Sequence, residues 1–317
     1  MLQIPYFRFG RWPLILLLGW MSLPLLARDF LDERAEYADE AAGRPYGELV
    51  LYPRLSLDNH TLDCIYHVSL ALAPALEVHP WRGAQLTGQV VLPLWSNDRG
   101  SEQRRVRAGV NTLRQDVLLG ERLFLRATVG LFTNHRAGVD LRGAYLLWRP
   151  DAISERLGTC LLTAEAGYTG QFVCDTRTRY FERWNRWSGA FGLDYYPYGA
   201  ATRIELQHLY DWEGRQGWRA DLIRRFRTVA VGFYAVTAER EYNVGFHFAI
   251  RFRSARPRGD ARLRVRGPHY WDWQYTMKSK SYNPGYLQTY ETSPDWNHAD
   301  PLGRQLLLLA RPDVERR

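Results

Sequence analysis

Tyr242-Asn243-Val244-Gly245-Phe246-His247-Phe248-Ala249-Ile250-Arg251-Phe252 places an aromatic or aliphatic side chain at every even position and a small or polar one at every odd position. A β-strand sends successive side chains to opposite faces, so this stretch is a strand with one apolar face and one polar face. The same period recurs upstream. In Ala84 to Leu94, Leu86, Val90 and Leu92 oppose Gln85, Thr87 and Gln89; in Ala137 to Trp148, Val139, Leu141 and Tyr145 oppose Asp140 and Arg142. Leu162 and Tyr168 oppose Thr163 and Glu165, Phe191 and Leu193 oppose Ser188 and Asp194, and Ile204 and Leu206 oppose Arg203, Glu205 and Gln207. From Gly217 to Phe226, Trp218 and Leu222 oppose Arg219, Asp221 and Arg225. Weaker strands are predicted at Glu48 to Leu57, Ile65 to Val78, Arg105 to Val117, Arg122 to Phe132 and Thr228 to Val236. The total is about twelve, each near the ten or so residues that cross a bilayer as a tilted strand.

The connections suit a meander. Gly120-Glu121, Asn134-His135, Tyr198-Gly199 and Glu213-Gly214 are tight-turn signals, while Ser96 to Arg104, Pro150 to Gly158 and Asp175 to Arg186 read as longer polar loops. Trp81, Trp95, Trp148, Trp187, Tyr195, Tyr196, Tyr198, Tyr210 and Trp212 gather near predicted strand ends, where an aromatic girdle would lie. Alternation alone also fits a soluble β-sandwich. The girdle and a secretory leader favour the expected fold, an all-β, antiparallel, up-and-down transmembrane β-barrel.

The leader is expected at residues 1–27: Arg8 and Arg11 precede an apolar run from Leu14 to Leu26 that closes on Ala27. That order of basic flank, short apolar core and small residue is a signal peptide, and the run is shorter than the ~20 residues of a spanning helix. Residues 28–45 read as a polar lead, 46–252 as the barrel, and 253–317 as a C-terminal tail on the periplasmic side. Cleavage near Ala27 sends the mature chain to the outer membrane of a Gram-negative cell.

The net charge of +8 raises the question of nucleic acid. The basic residues are Arg except for Lys278 and Lys280, and they are spread along the chain without a recognition motif, so nucleic-acid binding is not expected. Cys64, Cys160 and Cys174 show no metal-ligand spacing, and no metal or cofactor is expected. The face opposite the lipid is expected to carry Arg126, Asp140, Arg142, Glu165, Asp194, Arg203, Glu205, Arg219, Asp221 and Arg225. These charges either neutralise each other as a packed network or line a hydrated lumen whose Arg side chains bind an acidic polysaccharide. An outer-membrane lipid-modifying enzyme would need a nucleophile arrangement. His135 and Ser188 stand isolated, and Asp140 with Glu165, or Glu205 with Asp221, have Arg neighbours that would keep both carboxylates ionised and leave no general acid. No enzymatic activity is expected.

Several phrases resemble a known family. Trp81-Arg82-Gly83-Ala84-Gln85-Leu86-Thr87-Gly88-Gln89-Val90, then Arg122 to Phe132, Gly217-Trp218-Arg219-Ala220-Asp221, Val231-Gly232-Phe233-Tyr234-Ala235, Gly245-Phe246-His247-Phe248 and Tyr270-Trp271-Asp272-Trp273 resemble the YjbH family of exopolysaccharide-associated outer-membrane proteins, in its shorter Bacteroidetes form. The resemblance runs from about Tyr46 to Tyr290 and carries no catalytic motif. It implies a non-enzymatic outer-membrane barrel in the biosynthesis, export or surface handling of an exopolysaccharide, with outer-membrane lipid, an acidic exopolysaccharide and periplasmic secretion partners as its contacts. The alternative is a secreted soluble carbohydrate-binding β-sandwich.

Overall fold

The computed structural model describes residues 46–58, 67–97, 104–120, 122–147, 158–197, 202–226, 228–238, 241–252, 263–268, 270–275 and 287–294. The expected signal peptide, the polar lead, Cys64, Trp148, Tyr198 and most of the expected loops 96–104 and 150–158 lie outside the described residues.

The fold is all-β. Twelve strands follow one another in chain order: β1 (Tyr46–Asp58), β2 (His67–His79), β3 (Ala84–Ser96), β4 (Arg107–Leu119), β5 (Leu123–Leu131), β6 (Arg136–Leu146), β7 (Thr159–Cys174), β8 (Arg179–Tyr196), β9 (Thr202–Tyr210), β10 (Gln216–Arg225), β11 (Val229–Ala238) and β12 (Glu241–Arg251). Each pairs antiparallel with the next, so the meander read from the alternation is present strand for strand. With two shorter strands, β13 (Leu263–Arg266) and β14 (Tyr270–Tyr275), the sheet has 14 strands among the described residues. No helix among the described residues is long and apolar enough to cross a membrane.

The sheet therefore does not end at Phe252, and part of the expected tail belongs to it. β13 pairs parallel with β1, from Gly47↔Leu263 to Val50↔Arg266, while β14 pairs antiparallel with β12, from Phe246↔Tyr275 to Arg251↔Tyr270. The two strands occupy opposite ends of the sheet order, yet only residues 267–269 separate them. That link spans at most ~14 Å at about 3.5 Å per residue, so the end of β13 and the start of β14 lie within that distance of each other. β14 also lies against β1. Arg266 fastens this region by donating to Glu48 at 2.6 Å and to Glu77 at 3.4 Å; Glu77 in turn accepts from Tyr52 and Gln85. Tyr275 stacks on Phe246 of β12, and Trp271 and Trp273 pack edge-on or tilted against Phe246 and Phe248. Their alternation with Asp272 and Gln274 is the strand period, in a run too short to stand out by itself.

The distribution of side chains is the reverse of a water-soluble core. On β12, Tyr242, Val244 and Phe246 are exposed, whereas Asn243, His247 and Ala249 are buried. In register across the sheet, Leu113, Val129 and Val139 form an exposed apolar row, as do Leu222, Phe233 and Phe246. Phe233 is 63% exposed, while the carboxylates Asp140 and Asp194 on the other face are wholly buried.

Two expectations are corrected. Of the aromatics assigned to a girdle, Trp81, Trp95, Trp187 and Tyr210 are exposed, but Tyr196 and Trp212 are buried, packing against Phe124 and Leu161 and against Phe132 and Tyr290 respectively. The expected loop Asp175 to Arg186 is largely strand, because β8 begins at Arg179. The chain reverses over four residues there: Asp175 accepts from the backbone N–H groups of Arg177 and Thr178 and from Arg105. Those donors hold its carboxyl below the usual range. Asn134 and His135, by contrast, turn as expected, with φ of 54° and 55° at the β5–β6 reversal. Cys160 and Cys174 lie at the two ends of β7.

Candidate functional site

Residues two apart on a strand share a face. Asp140-Leu-Arg142, Arg203-Ile-Glu205 and Arg219-Ala-Asp221 therefore each bring opposite charges together on the buried face, with an apolar residue between them on the exposed one. Arg142 donates to Asp140 at 2.8 Å and to Glu165 at 3.1 Å. Arg203 holds both oxygens of Asp194, at 3.0 and 3.1 Å, and lies 2.8 Å from Glu205. Arg219 forks onto Asp221 at 2.7 and 2.9 Å, and His247 approaches the same carboxylate at 3.5 Å.

Register makes these groups one wall. Arg142 stands opposite Glu165, Asp194 opposite Glu205, and Glu205 opposite Asp221 across β6 to β10. Three guanidiniums thus face five carboxylates, and each guanidinium is engaged by its own wall. Arg126 belongs to a separate buried pair, forking onto Asp116 at 2.7 Å through both bonds, and Arg225 is half-buried farther along β10. Neither borders the internal cavity described next.

Arg142, Glu165, Arg203, Glu205 and Arg219 line a cavity of about 140 Å³ on the buried face. Besides other residues of β6 to β9, its boundary includes Leu287 to Glu291, a segment that strand periodicity did not single out. Tyr290 is its keystone. The ring stacks on Phe132 at 5.1 Å and packs near Trp212, and the hydroxyl donates to the buried Asp140 at 2.9 Å. Burial, with Asp140 and Glu165 nearby, raises the pKa of that hydroxyl and keeps it a donor. A methyl on Gly167 would overlap the hydroxyl, so the absence of a side chain at 167 makes the socket.

The rest of the segment is held by turns and side chains instead of a strand ladder. Gln288 donates its backbone N–H to Asp211 and its side chain to Glu213, Asn134 donates to the Thr289 carbonyl, and Thr133 and Glu291 exchange two hydrogen bonds. Arg136, stacked over Trp212 at 4.7 Å and donating to Thr169, braces the same corner.

Burial raises the pKa of Glu291, against the opposing pull of Arg54 and Arg142. A carboxyl raised in the docked state favours docking below its ordinary titration range, and that contribution is lost as pH rises through the raised value. Amide exchange of residues 287–294, corrected for intrinsic rates, should accordingly give weaker protection at pH 8 than at pH 5. In Glu291→Gln the two values should converge; an unchanged pH difference in that variant would assign the effect elsewhere.

His135 sits in the β5–β6 turn, Ser188 lies on β8 beside the Tyr290 socket, and the Asp140/Glu165 and Glu205/Asp221 pairs face the guanidiniums of their own wall. Among the described residues no group of three or more His, Cys, Asp or Glu is arranged to hold a metal ion. Comparison with family models, with curated proteins and with solved structures finds no significant match to this chain.

Proposed function

We propose that this chain is a transmembrane β-barrel of a Gram-negative outer membrane, acting without catalysis in the making, export or surface handling of an exopolysaccharide. The observation that carries the membrane reading is the inverted sheet: apolar rows exposed, charged pairs buried. A water-soluble protein rarely exposes an apolar patch beyond a few hundred Å², whereas a lipid-facing barrel surface is apolar all round. Strands satisfy their backbone groups in lipid only if the sheet has no open edge. The three-residue link between the two edge strands, and the packing of β14 against β1, support closure. On this reading β13, β14 and residues 287–294 belong to the barrel and its interior, and not to a separate periplasmic tail.

The polysaccharide assignment rests on the phrases that resemble the exopolysaccharide-associated family. Because the guanidiniums of this wall are engaged by its own carboxylates, the wall supports a hydroxyl-rich chain as partner better than ion pairing with an acidic one.

Cell fractionation tests the reading at its base. The protein should sediment with outer membranes, resist carbonate extraction and change gel mobility between unheated and boiled samples, and its loss should lower surface exopolysaccharide. Recovery only as soluble periplasmic protein would contradict it and leave a secreted carbohydrate-binding sandwich in its place.

A further inference from the structure

We propose that residues 287–294 are a displaceable plug, which shuts the polar interior at the end of the sheet opposite to the start of β1. The inference rests on the barrel reading. In an up-and-down meander the turns alternate between ends, and the β5–β6 and β9–β10 turns share the end toward which β1 runs. The segment is fastened to both of them, through Thr133 and Asn134 on one side and Asp211 and Glu213 on the other. Flanking those anchors, Leu287 clusters with Leu209 and Val236, and the Thr292 carbonyl accepts from Thr112 at 3.4 Å. It thus crosses the buried face from β11 to β4, and it bounds the charged cavity along the way.

Two features mark it as a docked element and not as part of the frame. No strand ladder joins it to the sheet, so it can leave without breaking a backbone pair of the wall. Its principal side chain, Tyr290, enters a preformed socket of Gly167, Asp140 and the Phe132 ring. Displacement would let water and hydrophilic solutes reach the charged face that the docked segment covers.

The test is conductance of the full chain in planar bilayers. Wild type should conduct weakly. Tyr290→Ala removes the keystone, and Gly167→Ala fills the socket from the wall; in each, mean conductance should rise on the order of tenfold or more, corresponding to about 1.4 kcal/mol or more in the docking equilibrium. A third variant controls for general damage to the barrel. Thr133 and Glu291 exchange hydrogen bonds, which sets their backbones side by side, so Thr133→Cys with Glu291→Cys can lock the plug. Added to Gly167→Ala, the oxidised lock should keep conductance at the wild-type level, and reduction should release it. Inserted variants that conduct no more than wild type, or a lock without effect, would overturn the plug while leaving the barrel intact. Failure of wild type to insert would overturn both.

Discussion

Arg203→Met should destabilise the protein by about 3–5 kcal/mol, the usual consequence of removing one partner from a buried ion pair. Met keeps most of the volume of the side chain, so the loss is one of charge and hydrogen bonds. Asp194 has no exposed side-chain surface and Glu205 is 10% exposed, and Arg203 bonds the first through both oxygens and lies within ion-pair distance of the second. Without the guanidinium, two carboxylates in register across β8 and β9 face each other in a poorly hydrated interior. Urea unfolding in lipid vesicles measures the change. Adding Asp194→Asn and Glu205→Gln should recover most of it, because the triple replacement leaves no uncompensated charge. A loss under about 1 kcal/mol for Arg203→Met would mean that water reaches these carboxylates freely, and that the wall is a channel lining instead of a packed network.

Phe233→Arg should cost about 2–4 kcal/mol in the same vesicles, the penalty for a cationic side chain at mid-depth of the lipid face of a barrel. The position is chosen because two environments make opposite predictions for it. Phe233 is 63% exposed and lies in register between Leu222 of β10 and Phe246 of β12. In water, a substitution at such an exposed site changes stability by no more than about 0.5 kcal/mol and improves solubility. In lipid the guanidinium must be dragged into hydrocarbon or snorkel a long way out of it. Arg at the neighbouring inward position Gly232 would test packing against His247 instead, so it is no substitute for this measurement.

What could be read in advance follows from the physics of each element. A strand that faces hydrocarbon on one side and a polar interior on the other has to alternate strictly, and β12, β9 and β10 are legible for that reason. The buried pairs were equally legible: Asp140-Leu-Arg142 and Arg219-Ala-Asp221 are opposite charges at strand spacing, and they meet. Asp116, the partner of Arg126, was missed because it comes from the neighbouring strand, where only register identifies it. The first half of β8 resembles a loop in sequence because Arg179 to Arg186 is rich in charge, although the Asx-type reversal at Asp175 leaves no room for a longer connection. Residues 287–294 were illegible for a deeper reason. Their conformation follows no period, and it is set by partners such as Asp140, about 150 residues away in sequence.

Spin-label accessibility along β12 tests the central claim most directly. In a cysteine-replaced background reconstituted into vesicles, nitroxides would be attached singly at Tyr242→Cys, Asn243→Cys, Val244→Cys, Phe246→Cys and Ala249→Cys. The inverted sheet predicts that labels at 242, 244 and 246 collide with membrane-dissolved oxygen and are shielded from a water-soluble nickel chelate, while labels at 243 and 249 are protected from oxygen. High nickel-chelate accessibility at 242, 244 and 246 would place that face in water and contradict the account.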